Sequence, residues 1–347
     1  RRVWSAKKGF AGIWPMVNEM MRDSLRYIES IREQQPLLIG STLAFGPRLA
    51  AEKYGLPFIG TQLAPSIFWS AHEPPRYKDT GFIHWLSPKW RRKVWSVIER
   101  QYVDRICQPD LNGLRERLGL PPVCNVFTGW ANHGELVLCL FPDWFAAPQP
   151  DWPGRSRLVG FPLFDESGQH RLDDELRRFI GGPEPVVVFC PGSAMAQAES
   201  YFRTAAEVCR RLPLKGIFLS RFTQQLPNLP ANVLHRSYLP FSEVLPHAAA
   251  LVHHGGIGSA AQAFRAGIPQ LVLPMAHDQF DNAERIERLG CGKALQWGAG
   301  KRGFSRALQA LLADEAVRGN ARRVAGNFGD TAANLRQACE AIEARLH

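Results

Sequence analysis

Residues 250–292 constrain the fold more than any other stretch. Ala250-Leu251-Val252 is a short apolar strand. It runs into His253-His254-Gly255-Gly256-Ile257-Gly258-Ser259, then into a helix-forming segment, Ala260 to Ala266, stopped by Gly267. A second apolar strand, Gln270 to Leu273, follows, and beyond it a polar loop carries Asp278 and Gln279. Strands that alternate with helices in this way form a parallel sheet covered by helices. The glycine turn adds chemistry. At a helix start the first backbone N–H groups are free, the helix end is positive, and glycine allows close approach. An anion of the diphosphate kind is therefore expected at the helix that Ser259 opens, held by the Gly258 and Ser259 amides, with the Ser259 hydroxyl as helix cap. A plain strand-to-helix turn has the same local sequence.

The alternation extends along the chain. A helix-like stretch, Ile13 to Arg32, precedes a strand at Pro36 to Gly40, a helix at Gly46 to Tyr54 and a strand at Pro57 to Gln62. Arg91 to Leu118 reads as mainly helical with a break near Pro109, and Leu136 to Leu140 as a strand. Pro142, Pro148, Pro150, Pro153 and Pro162 then cluster, which places an inter-domain linker near Gly160 to Leu172. Past it, Val186 to Phe189 is a strand ending in Pro191-Gly192-Ser193, Tyr201 to Leu212 a helix, and Gly216 to Leu219 and Val233 to His235 further strands. The expected domains are 1–165, 166–330 and a terminal helix within 331–347.

Composition narrows the partners. The 347 residues are 45% hydrophobic and 21% charged, an ordinary globular balance long enough for two domains. No run approaches the roughly 18–20 apolar residues that span a bilayer. The seven cysteines are scattered without metal-ligand spacing, as in a reduced, cytoplasmic protein. No metal or cofactor is implied. The net charge of +10 suits an anionic ligand or an anionic membrane surface, and Lys89, Arg91, Arg92 and Lys93 form its densest run. No zinc finger or RNA-recognition motif is present, so nucleic acid is not an expected partner.

Three blocks in order, HHGGIGS, AGIPQLVLP and HDQFDNAER, resemble the donor-binding motif of family-1 glycosyltransferases. The resemblance implies the GT-B fold: α/β, two Rossmann-like doubly wound domains facing a central crevice, the second binding a nucleotide sugar. It implies that His254 donates to the diphosphate, that Gly256, Gly258 and Ser259 approach it, and that Ser193 contacts it from the glycine-serine loop. Asp278 and Gln279 match the pair that reads the sugar hydroxyls, and Asp278 also fits a helix N-cap. Tyr238 stands where the family stacks a tryptophan on the nucleobase, and Leu239 where a backbone group pairs with the base edge. Phe241 replaces the glutamine usual beyond that contact. Gln262 replaces the ribose-binding glutamate of plant members, a weaker partner for a hydroxyl.

In the family the general base is a histidine in an opening strand-turn-helix. No such unit is recognised ahead of Ile13, so the sequence reads as a fragment or as one from which N-terminal residues are omitted. His72 is the weak remaining candidate. Within the family, Ala50 to Pro75, Leu138 to Pro153, Val159 to Glu166 and Pro274 to Gly292 are most similar to the rhamnosyltransferases of bacterial rhamnolipid synthesis. That likeness implies transfer of L-rhamnose from dTDP-L-rhamnose to a hydroxyacyl lipid, while the cysteine pattern and the net charge set the expected location in the cytoplasm with peripheral inner-membrane association. The rival in the same class is a UDP-glucosyltransferase acting on a sterol, carotenoid or polyketide hydroxyl. The rivals of another class are a GT-B nucleotide-sugar epimerase and a non-catalytic nucleotide-sugar-binding homologue.

Overall fold

The computed structural model describes residues 9–165, 172–192, 195, 197–296 and 298–344. The chain divides into two compact units, Arg1–Pro162 together with Asp330–His347, and Leu163–Gly329.

The first unit holds β1 (Leu38–Ser41), β2 (Phe58–Gln62), β3 (Leu136–Cys139) and β4 (Ser156–Leu158), all parallel and in that order. The long helix Gly9–Ile31 buries Trp14, Val17, Met21, Leu25 and Ile28, a stripe at three- and four-residue steps. That stripe joins Phe45, Leu49 and Phe58 in one core. On a second core, Ile59, Leu136, Leu138 and Val159 pack with Ala338 and Ala341 of the C-terminal helix Thr331–Glu343.

The helical stretch before Leu118 does not break at Pro109, which lies inside the helix Arg105–Arg117. The irregularity comes earlier, in a wide π turn, Glu99–Asp104. A π turn sets residues five apart on one face, unlike an α-helix. Glu99 and Asp104 use this. Glu99 Oε1 accepts from the Phe127 and Thr128 amides at 2.7 and 2.9 Å, and Asp104 from the Asn125 and Val126 amides at 2.9 and 3.0 Å. Two buried carboxylates thus satisfy four amides at the start of the segment Val126–Ala131.

The second unit is a six-stranded parallel sheet of β5 (Val186–Cys190), β6 (Lys215–Leu219), β7 (Val233–Arg236), β8 (Ala250–His253), β9 (Gln270–Val272) and β10 (Gly292–Ala294). Its spatial order is β10-β9-β8-β5-β6-β7. Every residue of β5 and β8 is buried, as continuous apolar runs in a sheet covered on both faces should be. Val187 and Phe189 pack with Phe202, Phe304 and Leu308 on one face; Val186 and Val188 pack with Leu176, Val244 and Leu245 on the other. β10 has no apolar run to announce it and is defined by its pairing with β9. From β5 the chain steps outward to β6 and β7, then returns to pair β8 on the opposite side of β5. Strand order reverses between β5 and β8, the position at which open α/β sheets bind ligands beyond the carboxyl ends. No helix among the described residues is long and apolar enough to cross a membrane.

Candidate functional site

The segments that leave the carboxyl edge of this sheet stand in a row. Tyr238-Leu239 follows β7, Gly192 follows β5, the His254–Ser259 turn follows β8, and Asp278-Gln279 follows β9. Strands are about 4.8 Å apart, so the row from β7 to β9 covers roughly 19 Å. Its middle is the reversal point.

The two histidines there have opposite fates. His253 is fully buried. Its Nδ1 accepts from the Gly255 amide at 3.2 Å, so the proton sits on Nε2, which faces Gln270 Oε1 at 3.0 Å. Burial, and then the neighbouring His254, pull its pKa down to about 3. His254 leans the other way, under the β5 loop. Burial lowers its pKa to about 4, partly opposed by the Cys190 backbone, so it is neutral near pH 7. Its Nδ1 is buried without a hydrogen-bond partner among the described residues. A buried nitrogen left in that condition is costly unless a ligand or water completes it.

The helix Ile257–Ala266 begins one turn earlier than expected. Its N-cap is Gly256, and no side chain caps it, so the expected Ser259 cap is absent. Ser259 lies in the third helical position, and its hydroxyl is turned toward the buried Cys190 thiol. The amides of Ile257, Gly258 and Ser259 occupy the first turn, which is the anion-binding position of a helix. Gly255 has φ +92°, and a β-carbon there would lie 2.9 Å from the Gln279 carbonyl oxygen. Glycine is required because the β8 turn closes directly on the β9 loop.

Asp278 stands at the N-cap of the helix Gln279–Arg288, but its side chain makes no capping bond. Its Oδ2 instead accepts from Asn282 Nδ2 at 2.8 Å. The residue's own backbone is helical there, so the carboxylate cannot swing back over the first turn. Burial raises its pKa, opposed first by the Asn282 bond. Gln279 is buried, and its Oε1 accepts from the Met275 and Ala276 amides at 2.8 and 3.1 Å. Its carbonyl is therefore spent inside the loop, and only its NH2 group remains to offer a ligand. His277, just before the pair, holds a left-handed φ of 54°.

Among the other expected residues, Leu239 packs its side chain in the core, leaving its backbone at the edge, and Tyr238 and Gln262 are half-buried. Ser193 lies outside the described residues. His72 is exposed in the first unit, where Ser70, Asp151 and Arg91 pin its backbone. Its ring has no carboxylate partner among the described residues. The residue missed from sequence is Asn282. It is fully buried, and its Nδ2 also donates to the Gly255 carbonyl at 2.9 Å, tying the β8 turn to Asp278. Its spacing of four from Asp278, on one helix face, was the available signal.

Comparison with known proteins adds to this geometry. Residues 217–339 match the family described as erythromycin biosynthesis protein CIII-like, C-terminal domain. The chain is 32% identical over 189 residues to O-mycaminosyltylonolide 6-deoxyallosyltransferase of Streptomyces fradiae, covering 52% of this chain and 43% of that protein. It is 31% identical over 261 residues to vancomycin aglycone glucosyltransferase of Amycolatopsis orientalis, covering 72% and 60%. The chain thus spans less than two thirds of either relative. The kitacinnamycin glycosyltransferase structure superimposes with TM-score 0.73 at 21% identity, covering 99% of this chain and 84% of that one. Spinosyn rhamnosyltransferase complexed with thymidine diphosphate gives 0.60 at 20% identity, covering 97% and 84%. By fold the chain is a pair of parallel-sheet α/β units of the GT-B glycosyltransferase kind, and its residues 217–339 match the CIII-like C-terminal domain.

Proposed function

We propose that the protein is an inverting, nucleotide-sugar-dependent glycosyltransferase that moves L-rhamnose from dTDP-L-rhamnose to the hydroxyl of a hydroxyacyl lipid. One observation carries the donor half. Tyr238, the Gly192 and His254 turns, and Asp278 with Gln279 follow one another along the sheet edge in the order in which a nucleotide sugar presents base, diphosphate and sugar. In the reaction the acceptor oxygen attacks the anomeric carbon as the sugar–phosphate bond breaks. The nucleoside diphosphate leaves with the electron pair, and the acceptor proton passes to a base. The free amides at Ile257–Ser259 and one His254 N–H stabilise the departing charge, and fixed donors at that position act without reorganising. Asp278 accepts a hydrogen bond from a sugar hydroxyl and the Gln279 NH2 group donates to a sugar oxygen. His72 is the base candidate within this chain.

A 6-deoxyhexosyl relative and a rhamnosyltransferase of the same fold support a deoxysugar donor. The lipid acceptor rests on the narrower sequence likeness. Glucose from UDP-glucose is the second reading, favoured by the glucosyltransferase relative. A competition between dTDP-L-rhamnose and UDP-glucose with a hydroxyacyl lipid acceptor tests the choice by product mass. A deoxyhexosyl product supports the proposal, and a hexosyl product overturns the donor sugar. A site built to pair one hydroxyl pattern strongly disfavours another.

A further inference from the structure

The segment 80–98 of the first unit carries a surface that the donor chemistry does not use. It contains His84, Lys89, Arg91, Arg92 and Lys93, and no acidic residue. Four of its large apolar side chains are outside. Trp85 is 90% exposed, Trp90 56%, Phe82 52% and Val97 46%. The helix Pro88–Ile98 explains the arrangement. Trp90, Lys93 and Val97 recur at i, i+3 and i+7 on its exposed face, and Lys89 flanks them. Trp95 occupies the opposite face, where it is buried against Trp69 at 5.3 Å between ring centres. The helix therefore buries one tryptophan and shows another to solvent.

The charges on this face are mostly free. Arg91 is spent on structure, donating to the Ala71, His72, Ile83 and His84 carbonyls and so fixing the turn that presents Trp85. Lys93 lies over the Trp90 ring at 5.2 Å. Lys89, Arg92 and Lys93 have no acidic partner among the described residues. Glu99, the next acid along the chain, is buried and committed to the Phe127 and Thr128 amides.

We infer that this face seats the protein on an anionic lipid bilayer. Exposed tryptophans beside lysine and arginine match both parts of that surface: the rings fill the headgroup boundary and the cations meet the phosphates. A bare apolar face would fit any hydrophobic partner, and it is the one-signed charge around it that selects the bilayer. This deepens the lipid-acceptor reading, yet its test needs neither donor nor acceptor, so either can fail alone.

The full chain is mixed with vesicles of phosphatidylcholine containing about one third phosphatidylglycerol, and with pure phosphatidylcholine vesicles. It should sediment with the anionic vesicles, shift its tryptophan emission to the blue, and release in high salt. Replacing Lys89, Arg92 and Lys93 together by glutamine should weaken sedimentation on the order of 100-fold. The pair Trp85→Ala and Trp90→Ala should abolish the blue shift, with melting temperature unchanged. The inference is overturned if the wild type ignores anionic vesicles at low salt, if neutral vesicles bind it equally well, or if both variants bind as the wild type does. It is overturned equally if the face joins two copies of the chain in solution, or holds a DNA duplex, while vesicles stay unbound.

Discussion

Gly192 and His254 are in direct contact across the reversal point of the second sheet: a β-carbon on Gly192 would lie 2.9 Å from Cε1 of the His254 ring. Gly192 also has φ +112°, a conformation that side chains rarely adopt. The β5 loop therefore reaches the imidazole only because residue 192 has no side chain. Gly192→Ala should displace His254 and lower the affinity for dTDP by about tenfold or more, as loss of one hydrogen bond of roughly 1.5 kcal/mol would. Titration calorimetry checks this, and unchanged affinity would refute the coupling.

The neutrality of His254 predicts which substitutions survive. With its pKa near 4, it serves at pH 7 as a hydrogen-bond group rather than as a cation. His254→Ala should cost at least about tenfold in kcat/KM. His254→Asn, which keeps a neutral donor, should retain more activity than the alanine variant. A decisive need for charge would reverse that order.

Acid should destabilise the second unit through both histidines. Their folded pKa values, about 3 and about 4, lie below the ordinary value near 6.5. The unfolded chain therefore takes up protons first. Their contribution is complete above pH 6.5 and is lost as pH falls from there toward about 4 for His254 and about 3 for His253, at most roughly 3–5 kcal/mol each. Urea midpoints measured across that window should fall, and a His253→Gln variant should show a shallower decline.

Asp278 has the opposite sign. Burial raises its pKa, so its ionised form is disfavoured in the folded state, and the stability it contributes is lost as pH rises through the folded pKa. Asp278→Asn should melt higher than wild type at pH 7, with the difference closing in acid. The same variant should lose transfer more than nucleotide binding. A lower melting temperature at pH 7 would show that ionised Asp278 is structural.

Asn282→Ala removes a group bonded to both the Gly255 carbonyl and Asp278 Oδ2. Each buried group left unpaired costs about 1–3 kcal/mol. Since the Asn282 bond holds the Asp278 pKa down, its loss should move the acid limb of the kcat/KM profile to higher pH. A purely structural residue would lower stability and leave that limb in place.

The sequence by itself determined the second unit's parallel sheet and the place of its turns. Val186–Phe189 and Ala250–Val252 are apolar without interruption, and such runs have one stable environment, a strand covered on both faces. The place of His254, Gly258 and Asp278-Gln279 beyond the strand ends was legible for a similar reason, because local spacing sets where the strands stop and the helices follow. Tertiary structure decided the partners. Asp278 reads as a helix cap until Asn282 is seen to claim it, and Ser259 until the helix is seen to start at Ile257. Pro109 reads as a break, but the π turn at Glu99–Asp104 takes that role because it aligns two carboxylates with the amides of 125–128, more than twenty residues away. Periodicity records which face a residue occupies. It carries no record of which distant amide or carbonyl meets that face, and at this sheet edge those meetings decide which groups are left free for a ligand.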